Sequence, residues 1–301
     1  MLIGLREQVP PPVLGPDSAP DVYYPVARRP SARLLLRTRS SRNLRDPVLY
    51  LCIPSYNEAP TVGVLLWRIR KVFQEYSREY EIIVYDDAST DGTRETLEPY
   101  RKVMPLTVIG SREHVGYSRA VEALLRTASD RTKYPRRDAV VLMQADFTDQ
   151  PEHLPELVKR FEGGADVVAV ERVMSESAPE SVRKLARLAR WLPRLWPIRS
   201  FVTVPGVKDP FGGFRLLRIS IVRDLLKEQG DRPFADTPVW ATNVELLRTA
   251  VRLARRTESV PLESRWDLRP RESRVRPWPD VIDLAKRGWA ARSRPSPRAV
   301  A

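Results

Sequence analysis

Cysteine and histidine are nearly absent from this chain: Cys52 is the one thiol among 301 residues, and there are two histidines. A lone cysteine excludes an internal disulfide framework, and two histidines argue against a zinc site built on imidazole. No apolar run approaches the roughly 20 residues that cross a bilayer as a helix. After Met1 the chain reads Leu2-Ile3-Gly4-Leu5-Arg6-Glu7, without the basic-then-apolar order of a secretory signal. The expectation is a soluble, reduced, cytoplasmic protein. Also missing is any recognised DNA- or RNA-binding motif, so nucleic acid is not an expected partner.

Charge is abundant and uneven. Lys and Arg number 51 against 38 Asp and Glu, a formal net charge of +13. Residues 26–46 hold seven arginines, residues 182–200 six basic side chains and no acid, and residues 265–298 ten basic and four acidic ones. The remainder is acidic on balance, so three patches make the protein basic. Patches of this kind attract phosphate groups or an anionic membrane surface. Seven of the 28 prolines fall in the first 30 residues, including Pro10-Pro11-Pro12. Residues 1–46 therefore read as a poorly ordered extension, since proline blocks regular hydrogen bonding. Residues 47–275 read as one domain, and 276–301 as a basic C-terminal helix or tail.

From Val48 the pattern becomes regular. Short apolar runs at 48–53, 82–85, 106–109, 139–143 and 165–170 suit strands buried on both faces. Between them lie helical stripes: Val62, Leu65, Leu66, Ile69, Phe73 and Tyr76; then 117, 120, 121, 124, 125 and 128; then a helix over 152–162. Ser89, Thr90 and Asp91 offer N-caps to the helix after the second strand. Alternating strands and helices with short connections specify an α/β fold, a mostly parallel sheet sandwiched by helices. Ligands of such sheets gather at the carboxyl ends of the strands. Three polar clusters follow strand ends: Ser55-Tyr56-Asn57-Glu58, Asp86-Asp87, and Asp146-Phe147-Thr148-Asp149. They are expected to share one site, where carboxylates can hold a hard cation on a diphosphate, or accept hydrogen bonds from a base or ribose.

Ile53-Pro54-Ser55-Tyr56-Asn57-Glu58, Tyr85-Asp86-Asp87-Ala88-Ser89-Thr90-Asp91-Gly92-Thr93, Met143-Gln144-Ala145-Asp146 and Asp209-Pro210-Phe211-Gly212-Gly213-Phe214-Arg215 resemble, in order and spacing, the signature blocks of family 2 glycosyltransferases. The last block is similar to the polyprenyl-phosphate branch typified by dolichol-phosphate mannose synthase. The resemblance covers residues 48 to about 275. It implies a GT-A fold with a Rossmann-like sheet, a nucleotide-diphosphate sugar donor carrying GDP or UDP, a Mg²⁺ or Mn²⁺ ion, and inversion at the sugar carbon. By position it implies that Pro54, Tyr56 and Glu58 line the nucleotide pocket with Gln144 and Ala145, and that Asp86 or Asp87 reads the base. Asp146 would hold the metal with Thr148 and Gln144, and Arg215 and Arg172 would face phosphate.

The chain also departs from the pattern. Gln144 stands where the first acid of Asp-x-Asp is expected, Thr148 replaces a glutamine, Gly212 a serine and His114 an asparagine. Asp149 is placed to restore the charge that Gln144 removes.

A phosphate acceptor would need no general base, whereas a hydroxyl acceptor would, with Asp236 or Asp209 as candidates. The basic, tryptophan-bearing stretch 182–201 suits a peripheral membrane contact at the inner face of the plasma membrane beside a lipid acceptor, or a helical cover on the sheet. The expected activity is transfer of a hexose to a polyprenyl phosphate or related lipid. The alternatives are a family 2 transferase acting on a soluble saccharide, and a non-catalytic nucleotide-sugar-binding protein.

Overall fold

The computed structural model describes residues 47–173, 180, 183–184, 202–230, 234, 237–265, 282 and 286. The proline- and arginine-rich start, the amphipathic stretch 182–201 apart from residues 183–184, Asp236 and the C-terminal tryptophans at 266, 278 and 289 lie outside them.

In chain order the elements are β1 Leu49–Ser55, α1 Ala59–Glu75, β2 Tyr80–Asp87, α2 Thr93–Arg101, β3 Leu106–Ser111, α3 Tyr117–Arg131, β4 Ala139–Leu142, α4 Leu154–Glu162, β5 Val167–Val173, β6 Arg215–Arg218, α5 Ile219–Gln229, α6 Val239–Leu253 and β7 Thr257–Glu263. The seven strands form one sheet in the order β3-β2-β1-β4-β6-β5-β7. β1 pairs in parallel with β2 and β4, β2 with β3, and β5 with β7. β6 runs antiparallel to both its neighbours. Six strands therefore end on one edge of the sheet, and the reversed β6 begins there.

Alternation along β1 explains the layers. Leu49, Leu51 and Ile53 enter one core with Leu65, Leu66 and Ile69 of α1 and Leu157, Val158 and Phe161 of α4. Tyr50 and Cys52 face the opposite core with Val121, Leu124 and Leu125 of α3 and Val222 and Leu247 of α5 and α6. A strand covered on both faces has no polar side to offer, which is why these runs are continuously apolar. Cys52 is fully buried, and burial holds its thiol far above the ordinary range.

The expected strands and helical stripes up to residue 170 match β1 to β5 and α1, α3 and α4 within a few residues. Tyr76 falls just past the end of α1, as its C-cap. α2 starts after Gly92 in a left-handed conformation (φ 86°), not after a side-chain cap at 89–91.

Candidate active site

The carboxyl edge of the sheet collects the three clusters. Register sets Ser55 beside Asp86, and Leu142, two residues before Gln144, beside Arg215. Each of three loops turns through a left-handed residue that is not glycine: Asn57 (φ 54°), Ala88 (φ 56°) and Phe147 (φ 64°). Such residues are strained and persist where surrounding bonds over-determine them.

Those bonds are visible. Asn57 N–H donates to Ser89 Oγ at 2.9 Å, and Asn57 Oδ1 accepts from Thr90 N–H at 2.9 Å. Asp91 accepts from Ala59 N–H and Thr93 N–H, each at 3.0 Å, so one carboxylate joins the starts of α1 and α2. Burial works against its charge, but hydrogen bonds from Thr93 and Ala59 outweigh it and keep the pKa low. Glu58 is buried; its N–H donates to Thr93 Oγ1 at 2.9 Å and its Oε2 accepts from Thr61 Oγ1 at 3.0 Å. The Glu58 carboxylate thus takes the Thr61 hydroxyl within its own helix start, where the resemblance implies a pocket-lining group.

The two adjacent aspartates separate in role. Asp87 accepts from Val115 N–H at 2.7 Å and Gly116 N–H at 3.0 Å, and His114 Nδ1 lies 2.9 Å from its Oδ2. It organises the loop before α3. Asp86 accepts from Ser89 N–H at 3.3 Å. Tyr56 packs against His114 with ring centroids 4.2 Å apart and a 36° tilt, forming an aromatic wall beside Asp87. Pro54, the penultimate residue of β1, lies opposite Tyr85.

Past β4, Ala145, Asp146, Thr148 and Asp149 are all buried, and Gln144 is half-buried. Asp146 Oδ1 accepts from Thr148 N–H at 3.1 Å, and Asp149 Oδ2 accepts from Gln144 N–H at 2.8 Å. Burial pushes Asp149 up to about 7; the neighbouring Asp146 charge adds to this, while the Gln144 bond and the Arg172 and Arg215 charges oppose it. The hydroxyl of Thr148 is buried without a hydrogen-bond partner. Among the described residues no group of three or more His, Cys, Asp or Glu side chains is arranged to hold a metal.

The arginines are more committed than the sequence suggests. Arg172 forks onto Asp209, with Nε 2.6 Å and Nη2 3.1 Å from its oxygens, and Asp209 also accepts from Phe211 N–H at 3.1 Å. Asp209 is held low: burial opposes its charge, and the Arg172 pair overcomes that. It is a loop anchor, poorly suited to take a proton. Arg215 is 1% exposed, donating to Asn243 O at 2.8 Å and to Gly212 O. Burial lowers it to about 10. Its guanidinium points into the protein, which differs from an arginine presented to a phosphate. Asp236 lies outside the described residues.

Sequence reasoning missed Tyr117 and Asn243. Tyr117 OH donates to Asn243 Oδ1 at 2.9 Å, and Asn243 Nδ2 donates to Phe211 O at 3.0 Å. Gly213 faces this pair: a Cβ there would sit 3.2 Å from Gln144 Nε2 and 3.3 Å from Tyr117 OH. Glycine lets the loop close against both. The partners are 126 residues apart, and no local pattern announces them.

Residues 50–226, more than half of the chain, match the family described as Glycosyl transferase family 2. The chain is 30% identical over 174 residues to a dolichol-phosphate mannosyltransferase of Pyrococcus furiosus, covering 56% of this chain and 46% of the relative. It is 26% identical over 176 residues to a bactoprenol glucosyl transferase of Shigella phage SfV, covering 58% and 53%. The chain thus spans about half the length of these relatives. The fold matches a crystal structure of glucosyl-3-phosphoglycerate synthase from Mycobacterium tuberculosis, in complex with Mn²⁺, UDP-glucose and phosphoglyceric acid. The TM-score is 0.53 at 18% identity, over 84% of this chain and 81% of that one. A seven-stranded, mostly parallel sheet with GT-A neighbours and a family match across its first six strands lead to one conclusion: this chain belongs to glycosyl transferase family 2.

Proposed function

We propose that the protein moves a sugar from a nucleotide-diphosphate donor, linked to UDP or GDP, onto a polyprenyl phosphate, with inversion at the sugar carbon. The observation that carries this reading is the meeting, on one sheet edge, of Asp86, the Tyr56–His114 wall and the buried Asp146–Asp149 loop. The name of the Pyrococcus relative supplies the lipid-phosphate class of acceptor, and that of the phage relative, bactoprenol, agrees with a lipid.

A divalent cation, Mg²⁺ or Mn²⁺, fits this edge. Two buried carboxylates stand together, one pushed up to about 7 by burial and its neighbour's charge, beside a buried hydroxyl with no hydrogen-bond partner. Asp146 would hold the ion with Thr148, and Gln144 would offer an amide oxygen, a neutral ligand where the pattern has an acid. When bound, the ion neutralises charge on the departing diphosphate.

The protein's own groups then bind and align. Asp86 and the aromatic wall hold the nucleoside. Gly213 lets the loop pack closely on Gln144 and Tyr117, and the buried Arg215 lends that floor positive charge, Arg172 being neutralised by Asp209. The acceptor phosphate, with a second pKa of about 6, is already anionic near neutrality, so its oxygen attacks the sugar carbon without a general base. One carbon–oxygen bond forms as the bond to the diphosphate breaks, and the nucleoside diphosphate leaves with both electrons. The low pKa of Asp209 agrees with a reaction that asks for no base there.

No helix among the described residues is long and apolar enough to cross a membrane. Access to a lipid acceptor is then a peripheral contact at the cytoplasmic face, favoured by the +13 charge and weakened by salt.

A thermal-shift panel of UDP-, GDP- and dTDP-sugars with and without Mn²⁺, followed by transfer assays on short-chain polyprenyl phosphate and on free sugars, tests the reading. Stabilisation by a nucleotide sugar and label on the lipid are expected. Label on free sugars alone would move the assignment to a soluble acceptor. Metal-independent binding without turnover would make the protein a non-catalytic binder.

A further inference from the structure

His114 occupies an unusual position. Its Nδ1 lies 2.9 Å from Asp87 Oδ2 and 3.4 Å from Asp87 O, and both are acceptors. Nδ1 must therefore carry the proton. The ring is fixed further by Tyr56, 4.2 Å away between centroids. Asp87 itself is immobile, because Val115 and Gly116 N–H groups occupy the same carboxylate. A half-exposed imidazole is thus locked in plane and tautomer at the edge of the site, and Nε2 is the nitrogen left to face a ligand.

We infer that His114 selects the nucleobase of the donor: its Nε2 lone pair accepts a hydrogen bond from a ring imino N–H, while the base lies along the Tyr56–His114 wall. This rests on the nucleotide-sugar reading above and adds a choice among bases. Uracil and thymine carry an imino proton at N3, and guanine carries one at N1. Cytosine and adenine present a lone pair at the corresponding position, which would face the Nε2 lone pair. A site built to hydrogen-bond one group rejects an analogue that lacks it far better than an apolar pocket rejects an extra methylene. Asp87 is a positioning residue in this scheme, acting through the imidazole; His114 touches the base.

Calorimetric titration of the full chain with UDP, dTDP, GDP, CDP and ADP at about pH 8, with Mn²⁺ at one fixed concentration, reads the choice directly. UDP, dTDP or GDP should bind at least about tenfold tighter than CDP and ADP, one good hydrogen bond's worth of discrimination. His114→Phe keeps a ring against Tyr56 and should collapse the preference to within about threefold, by loss of imino-bearing nucleotides alone. If that variant melts at a markedly lower temperature, His114→Gln, judged by the same ratio, replaces it. Nitrogen-15 shifts of the imidazole in the unsubstituted protein should give the Nδ1–H tautomer, with Nε2 moving on UDP or GDP binding and not on CDP binding. Equal affinity for CDP and UDP, an unchanged ratio in His114→Phe, or an Nε2–H tautomer would each overturn the inference. Absence of binding by every nucleotide would instead strike the nucleotide-sugar reading, so the two failures are separable.

Discussion

The two edges of the sheet are built from the same residue types and solved in opposite ways. On the amino edge, carboxylates are closed off. Asp166 pairs with Arg218 at 2.6 Å and accepts from Arg255 N–H at 3.0 Å. Asp138 pairs with Arg137 at 2.8 Å, accepts from Val48 N–H at 3.1 Å and takes the Thr132 hydroxyl. On the carboxyl edge, Asp146 and Asp149 sit side by side, and the buried hydroxyls of Ser55, Ser118 and Thr148 have no hydrogen-bond partners. Three left-handed non-glycine residues turn its loops. Buried polar groups left unsatisfied cost about 1–3 kcal/mol each, and a fold tolerates them where another molecule is to complete them. One edge is finished by the chain; the other keeps buried hydroxyls that the described residues leave unpaired.

The sharpest way to break this contrast is Asp146→Ala. It should leave the fold intact and lower transfer at least about a hundredfold, with loss of any Mn²⁺-dependent thermal shift by the nucleotide sugar. A preserved shift would mean that the cation sits elsewhere.

On the closed edge the expectation reverses. Asp166→Ala strands Arg218, which is 17% exposed, and should cost about 2–4 kcal/mol in denaturant unfolding with little change in KM.

Asp149 sharpens the comparison through pH. Its folded pKa, about 7, lies above an unfolded value of about 3.9, so between those limits the folded protein holds more proton. Stability from this group is full below the lower limit and lost as pH rises through the upper one. Metal-free protein should therefore lose stability relative to Asp149→Asn between about pH 4 and about pH 7, by a few kcal/mol at most. Paired melting curves check the sign. A flat difference would mean that the acid is not buried as described.

The smallest effect belongs to Ala88→Gly, which relieves a φ of 56° and should stabilise by about 0.5–1 kcal/mol. Any accompanying rise in KM for the donor would link loop strain to nucleotide binding.

Much of this was legible in the sequence. Continuous apolar runs gave β1 to β5 because a doubly covered strand has no polar face, and strand ends marked the edge where Asp86, Asp87 and Asp146 would meet. The reading faded after residue 170 for physical reasons. β6 is four residues, Arg-Leu-Leu-Arg, too short to show a period, and its reversed direction has no local signature. That reversal brings Arg215 to the site's edge and buries it there, while the family resemblance implied an arginine facing phosphate. Arg172 and Asp209 were each noted for a separate task; their pairing across 37 residues cancels both charges. Asp87 and Glu58 read as ligand groups; in the fold their carboxylates also accept from backbone and hydroxyl donors, which only a folded loop can reveal.

Cys52 has a practical consequence. Its sulfur lies inside the core at 3.8 Å from Leu124 O, and burial suppresses the thiolate. Alkylating reagents should stay silent toward the native chain and react once the central strand is released, which makes the natural thiol a clock for global opening. A second cysteine engineered at the nucleotide rim would then take a fluorophore selectively, with no need to remove the first.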